Sequence, residues 1–369
     1  MPEKLLCCMS SMDYGGAETF LMKQYRALDR ERYQMDFCVN VPRRCDYDDE
    51  IESLGGKVHR LPPKSSDFMG SLSGLKRLVR EHGYKNVLVN SIKPGTSLEL
   101  LAARAGGAER LIYRSTSSAI SGGAAQKFLH STLGLLAHSV PDVKIAPSTV
   151  AAEFCFGKKS VRSGEVTILP NAIDTDLFSF VESIRDSVRK DLGLGTAFAF
   201  LHIGRFVPVK NHPFIIDLFK DAVDKHPDSV LILVGSGGSE KDVRKRVSDA
   251  GLGDRVIFTG RRDDVNRLMN AADVLLLPSF HEGMPNTVIE AQACSLPCVV
   301  SENVTREAAI TPLVSFLPLG NSEKWAKACL DFEHFPRRDM RADITAAGYD
   351  IRSVSNRFVE LCFGCENER

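Results

Sequence analysis

Glu282 and Glu290 stand eight residues apart in the run Pro278-Ser279-Phe280-His281-Glu282-Gly283-Met284-Pro285-Asn286-Thr287-Val288-Ile289-Glu290-Ala291. They bracket a glycine turn and the start of a helix expected at 286–294. Paired carboxylates accept hydrogen bonds from pairs of hydroxyls, so a sugar or ribose ring is a natural ligand. The backbone N–H groups of the turn and first helical residues, Gly283, Met284, Pro285 (which lacks one), Asn286 and Thr287, point such a site toward a phosphate as well. Glu290 read alone is equally compatible with a charge on a helix surface. His281, directly before Glu282, is suited either to a ligand hydroxyl or phosphate or to local packing.

A second cluster is Gly204-Arg205-Phe206-Val207-Pro208-Val209-Lys210-Asn211, following an apolar run at 197–203. Arg205 offers a bidentate fork to phosphate oxygens, and Lys210, five residues on, adds a point charge. Together they have the charge to neutralise a diphosphate, although cations in a loop are also commonly solvated surface. No GxxxxGK[ST] run occurs, so this is not a Walker A loop. Val234-Gly235-Ser236-Gly237-Gly238 is another glycine loop after an apolar run. Glu240 occupies the last glycine position of GxGxxG, so the dinucleotide fingerprint is incomplete. Close approach of the Gly235 backbone to a base or ribose is the expectation there. Tyr14-Gly15-Gly16-Ala17-Glu18 follows the first apolar run and opens a helix, either as a tight turn or as a place where a ligand approaches the backbone.

These clusters need strands that end beneath them. Strand-like runs are expected at 4–9, 34–39, 57–61, 86–90, 110–113 and 143–146, with helices at 17–30, 47–54, 71–82, 96–105 and 124–138. The alternation restarts with strands at 197–203, 229–234, 256–259, 274–278 and 298–301 and helices at 211–225, 239–250, 264–271 and 286–294. Helices at 322–333 and 343–362 follow. Such alternation predicts an α/β chain of two Rossmann-like, doubly wound parallel sheets facing a cleft. Pro170 and Asn171 interrupt the periodicity, so the expected division is 1–172, 173–345 and a C-terminal helix at 346–369 that packs back on the first domain. Ligands of open α/β sheets sit beyond the carboxyl ends of strands, where all of these clusters fall.

Composition narrows the function. With 47 Lys+Arg against 47 Asp+Glu the net charge is zero, which argues against a nucleic-acid polymer as partner. Residues 1–175 hold 23 basic and 19 acidic residues, leaving 24 and 28 for the remainder: a mildly basic half and a mildly acidic one. No apolar run approaches the roughly 18 residues of a membrane span. The start of the chain lacks the pattern of a secretory signal, so a cytoplasmic location is expected. Ten cysteines, many in apolar runs, fit free buried thiols in a reducing compartment. Cys362 and Cys365 have metal or redox spacing, with no second CxxC or nearby His pair to complete a site.

In order and spacing, these motifs resemble the retaining GT-B glycosyltransferases of glycosyltransferase family 4. The resemblance rests on Gly15-Gly16-Ala17-Glu18, Leu169-Pro170-Asn171-Ala172-Ile173-Asp174, Gly204-Arg205 with Lys210, and Leu233-Val234-Gly235-Ser236-Gly237. It continues through Phe258-Thr259-Gly260-Arg261-Arg262-Asp263-Asp264-Val265, Ala272-Asp273-Val274 and Glu282-x7-Glu290. It spans nearly the whole chain, strongest over 165–310, and His281–Cys294 is similar to the bacterial exopolysaccharide and capsular-polysaccharide branch.

The resemblance implies roles. Arg205 and Lys210 would bind the donor diphosphate and stabilise the leaving group. Glu282 would contact the donor sugar, and Glu290 the ribose. The backbone of Gly283–Thr287 would meet phosphates and sugar, and that near Arg261 and Arg262 the base. Gly15 and Gly16 would close over the donor beside the acceptor. The family generally works without a metal or other cofactor. The implied reaction moves a hexose or N-acetylhexosamine from a UDP-sugar, or second a GDP-sugar, to a glycan or lipid-linked acceptor. The inner face of the cell membrane is the expected location, with peripheral contact. One departure stands out: Asn90-Ser91 and Tyr113-Arg114-Ser115-Thr116 occupy places where relatives commonly carry histidine. The imidazole's contribution would have to come from Asn90, Tyr113, Arg114 or Ser115. That departure motivates an alternative, a weakly catalytic scaffold binding a nucleotide sugar or a partner subunit. A sugar-nucleotide epimerase is the third reading.

Overall fold

The computed structural model describes residues 2–91, 96–115 and 139–364; the expected helix at 124–138, Thr116 and Cys365 lie outside them. The chain divides into two compact units. One comprises the chain up to Ala172 together with the segment from Ile351, and the other is Ile173–Asp350. Residues 346–350 therefore go with the second unit rather than with the final helix. The reason is local: Ile173 N donates to Tyr349 O at 2.8 Å, and Ile173 bridges Asp350 in parallel.

The first unit contains strands β1 (Glu3–Met9), β2 (Tyr33–Val39), β3 (Val58–Arg60), β4 (Asn86–Asn90), β5 (Arg110–Arg114), β6 (Val143–Ala146) and β7 (Val166–Ile168). They form one parallel sheet in the order β3-β2-β1-β4-β5-β6-β7. The second unit contains β8 (Phe198–Ile203), β9 (Ser229–Val234), β10 (Val256–Gly260), β11 (Val274–Leu277), β12 (Cys298–Ser301) and β13 (Val314–Leu317). Their order is β10-β9-β8-β11-β12-β13, again all parallel.

Both sheets are buried on both faces, which is why their strands read as nearly unbroken apolar runs. In β1, Leu5, Cys7 and Met9 enter one core cluster while Leu6 and Cys8 enter another. In β8, Phe198 and Phe200 face one cluster, and Ala199 and Leu201 the opposite one. The period of two places alternate residues on opposite faces, and helices cover each face.

Two strands, β7 and β13, go beyond the sequence expectation. Each lies at a sheet edge; β7 has three residues, and β13 is only half-buried. The expected helix at 343–362 is two helices, Arg341–Ala346 and Ile351–Phe363, separated where Gly348 takes φ 79°. The second of these is part of the first unit. Phe358 meets Phe20 edge-on at 6.0 Å, and Ser355 Oγ donates to Gln24 Oε1 at 2.8 Å.

Each sheet order reverses between its first-formed strand and the fourth: β1 sits beside β4, and β8 beside β11. Such a switch point splays the following loops apart and opens a crevice at the carboxyl ends. The loops after β8 and β11 carry Arg205, Lys210 and Glu282, and the loop after β1 carries Gly15 and Gly16.

Candidate active site

In the second unit, the loops after β8, β9, β10 and β11 are joined through backbone groups. Gly204 N donates to Val234 O at 2.9 Å and Phe206 N to Ser236 O at 3.0 Å. Gly235 N donates to Gly260 O at 2.8 Å, and Phe280 N to Val209 O at 2.9 Å. Asn211, held at φ 55°, donates its side-chain amide to Pro278 O at 3.2 Å. It is the N-cap of the helix His212–Lys225, yet its side chain is turned to the neighbouring loop rather than to that helix. The helix Asn286–Ala293 likewise starts at Pro285 without a side-chain cap.

This frame brings Lys210 and Glu282 together. Lys210 Nζ lies 2.7 Å from Glu282 Oε1, and both side chains are about four-fifths enclosed, at 17% and 18% exposure. The contact is an ion pair by distance, while Oε1 has no aligned hydrogen bond. The side chain of Arg205, on the same loop as Lys210, is exposed and has no hydrogen-bond or ion-pair partner among the described residues. His281 is exposed beside Glu282. Glu290 is buried within the helix Asn286–Ala293, so it is not a surface charge. Met284 packs against the core, Pro285 is buried, and Gly283, Asn286 and Thr287 are half-buried along the turn.

The remaining predicted residues divide. Arg261 is exposed after β10. Arg262 is engaged by Asp264 through bonds of 2.7 and 2.6 Å. Gly235 has φ 134°, and a Cβ there would collide with the carbonyl of Gly204. The glycine is thus required by the chain's own loop-to-loop packing.

Two histidines lie beneath this edge. His202 is fully buried with Nδ1 2.9 Å from Leu276 O. His212 meets it edge-on at 4.9 Å and stacks on Phe206 at 4.3 Å. Burial, joined by the neighbouring His212 and Lys210, lowers His202 to about 3, and burial with the nearby Lys210 charge lowers His212 to about 4, so both stay neutral near pH 7. Their Nε2 atoms, Ser279 Oγ and Glu282 Oε1 are buried polar atoms without hydrogen-bond partners. Among the described residues ten such atoms occur, and these four cluster on the loops and strand ends of β8 and β11. The sequence signal for them was His202 two residues before Gly204 and His212 two residues after Lys210.

In the first unit, Gly15 is the N-cap of the helix Gly16–Ala27 in extended conformation. No atom of the described chain stands within 4 Å of where a Gly16 Cβ would be. The positions where the resemblance leads to an expectation of histidine are placed as follows. Tyr113 is buried and accepts a hydrogen bond from Cys155 Sγ at 3.2 Å, so it faces the core. Ser115 is also buried. Arg114 is buried at the end of β5 and donates to Asn90 Oδ1 and Asn171 Oδ1, each at 3.1 Å. Its guanidinium lies 3.8 Å over the Phe20 ring, and its Nε has no partner. Burial lowers Arg114 to about 9 against the opposing pull of Glu18, so it remains charged at neutral pH. Burial in turn raises Glu18.

A diphosphate-sized anion beside Arg205 and Lys210, with carboxylates for sugar hydroxyls, is what this arrangement can hold. The profile of the family "Glycosyl transferases group 1" matches residues 184–350. The UDP-Gal:alpha-D-GlcNAc-diphosphoundecaprenol alpha-1,3-galactosyltransferase of Escherichia coli is 30% identical over 294 residues, covering 78% of this chain and 76% of that protein. EpsF of Bacillus subtilis is 29% identical over 361 residues, covering 95% and 94%. Among solved structures, Anabaena HepE in complex with UDP superposes with a TM-score of 0.72 at 19% identity, covering 98% and 96%. The chain belongs to the group 1 glycosyltransferases, and its two parallel-sheet units are those of the GT-B fold.

Proposed function

We propose that this protein is a retaining, metal-independent glycosyltransferase of family 4. In this reading it moves a hexose or N-acetylhexosamine from a UDP-sugar to a growing bacterial surface polysaccharide or a lipid-linked glycan. The observation that carries the reading is the unpaired Arg205 beside the Lys210–Glu282 pair, on loops fixed to one another through backbone bonds. Cleavage of the sugar–phosphate bond leaves negative charge on the diphosphate. Fixed cations aimed at that charge stabilise the transition state more than the ground state. The uncapped start of the helix Asn286–Ala293 adds backbone N–H groups of the same polarity. Glu290, buried near that start, suits ribose hydroxyls, and Glu282 suits the sugar.

The E. coli relative is named for a UDP-galactose donor and a diphosphoundecaprenol-linked acceptor, and HepE was solved with UDP. Both support UDP over GDP for this chain, and the former a lipid-linked acceptor, used at the cytoplasmic membrane face. Among the described residues no helix is long and apolar enough to cross a membrane, so such contact would be peripheral. We assign the acceptor side to the first unit, with Gly15 and Gly16 at its edge and Arg114 buried beneath it.

The test is a hydrolysis and transfer screen over UDP- and GDP-sugars with lipid-linked acceptors, repeated in chelator, with the product anomer read by NMR. Arg205→Ala and Lys210→Ala are each expected to lower transfer by about 10²–10³-fold, the scale of losing one preorganised charge donor. Full activity in both variants would sink the assignment. Binding of UDP with no turnover on any acceptor would favour the scaffold reading.

A further inference from the structure

Resting on the donor-site reading, we propose that Lys210 is handed from Glu282 to the diphosphate when the donor binds, and that this exchange makes Glu282 the residue discriminating nucleotide sugar from released nucleoside diphosphate.

Without ligand, two of the three groups assigned to chemistry neutralise one another: Lys210 Nζ is 2.7 Å from Glu282 Oε1. Diphosphate oxygens entering beside Arg205 compete with that carboxylate for the ammonium. Three features make the exchange feasible. First, the pair lacks an aligned hydrogen bond at Oε1, so charge rather than direction holds it. Second, both groups are mostly enclosed, which weakens solvent screening and makes the competition strong. Third, main-chain bonds hold the backbone of the loop, while a lysine stem is intrinsically flexible. Asn211 is bonded to Pro278 O and Val209 O to Phe280 N, whereas the Lys210 stem lies along the open face of Gly204. A Cβ on Gly204 would meet Lys210 Cε at 3.2 Å and Cδ at 3.3 Å.

The two ligands differ in what they return to Glu282. A nucleotide sugar takes the ammonium but offers sugar hydroxyls that the freed carboxylate accepts. A nucleoside diphosphate takes the ammonium and offers nothing, leaving a mostly enclosed carboxylate unpaired beside a polyanion. Unpaired buried charge is unfavourable, so the product is held less tightly than the donor and leaves.

The experiment is calorimetric titration of UDP, and of GDP in parallel, into wild-type protein, Glu282→Gln, Lys210→Ala and the double variant. Thermal unfolding of each variant is recorded alongside. Glu282→Gln is expected to bind UDP roughly three- to tenfold more tightly than wild type while losing transfer activity, the range of one partly screened charge competition. In the Lys210→Ala background, Glu282→Gln should leave UDP affinity unchanged. Glu282→Ala should tighten UDP in the same direction, since loss of the carboxylate is what matters. If Glu282→Gln binds UDP no tighter than wild type, or tightens it equally without Lys210, the handover is overturned and simple repulsion replaces it. If neither nucleotide loses affinity on removal of Lys210 or Arg205, the donor-site reading itself fails.

Discussion

Each unit places an arginine at the carboxyl end of its sheet, one at the end of β5 and the other just after β8 at the switch point, and the two are treated oppositely. Arg114 in the first unit is fully buried, stacked on Phe20 and bonded to two neutral amides. Arg205 in the second is exposed and unpartnered among the described residues. The first organises its own unit, tying β5 to Asn90 at the end of β4 and to Asn171 after β7. The second is left for something outside the chain. The glycines show the same contrast reversed. Gly235 is enforced by the backbone of Gly204, whereas Gly16 has no neighbour within the chain to require it.

The largest expected effects separate the two arginines by the quantity they move. Arg205→Ala should lower transfer by about 10²–10³-fold with an unchanged unfolding midpoint. Arg114→Ala should remove about 3 kcal/mol of stability, because it opens a cavity and strips donors from Asn90 and Asn171. Arg114→Lys should not restore it, since an ammonium has no planar fork to span both amides and the ring. Urea unfolding and initial rates, measured on the same preparations, check both. Loss of stability in Arg205→Ala, or its absence in Arg114→Ala, would break the comparison.

Acidification tests the second unit most strongly, with the burial-lowered His59 of the first unit acting in the same direction. His202 titrates near 6.5 when unfolded and near 3 when folded, so between these values the unfolded chain binds the extra proton. Its stabilising contribution is fully present above about pH 6.5 and declines as pH falls toward about 3. From pH 7 to pH 5 the loss from His202 should be roughly 2 kcal/mol, with His212 acting in the same direction. The urea midpoint of the full chain at the two pH values reads this, and His202→Phe should remove the His202 share of the shift while leaving that of His212. A pH-independent midpoint in the wild type would mean the ring is already protonated or solvated.

The smallest effects concern the glycines. Gly235→Ala should lose at least about 1–2 kcal/mol from the left-handed backbone alone. Gly16→Ala, in the first turn of a helix, should change stability by less than about 1 kcal/mol and in the favourable direction. If Gly16→Ala nonetheless raises the KM for acceptor, the open space there belongs to a ligand.

Much of this was legible in the sequence because the chemistry follows apolar runs. Strands buried on both faces announce themselves, and Arg205, Lys210 and Glu282 come directly after β8 and β11. What escaped did so for physical reasons. β7 is too short to carry a period, and half-buried β13 lacks a continuous apolar signature. The Lys210–Glu282 contact joins residues distant in sequence, and only the β8–β11 neighbourhood brings them together. Arg114 looked like a polar residue available for substrate. Its burial depends on Asn90, Asn171 and Phe20, three separate segments whose convergence no spacing reveals.

The backbone bonds that join the loops after β8, β9, β10 and β11 have an evolutionary consequence. They involve main-chain atoms, so side chains on those loops can be exchanged without releasing the frame. Phe280, Val209 and His281 are exposed on it. On the proposed reading, donor preference can therefore diverge through these positions while Arg205 and Lys210 keep their places, and altered-specificity libraries are best confined to them.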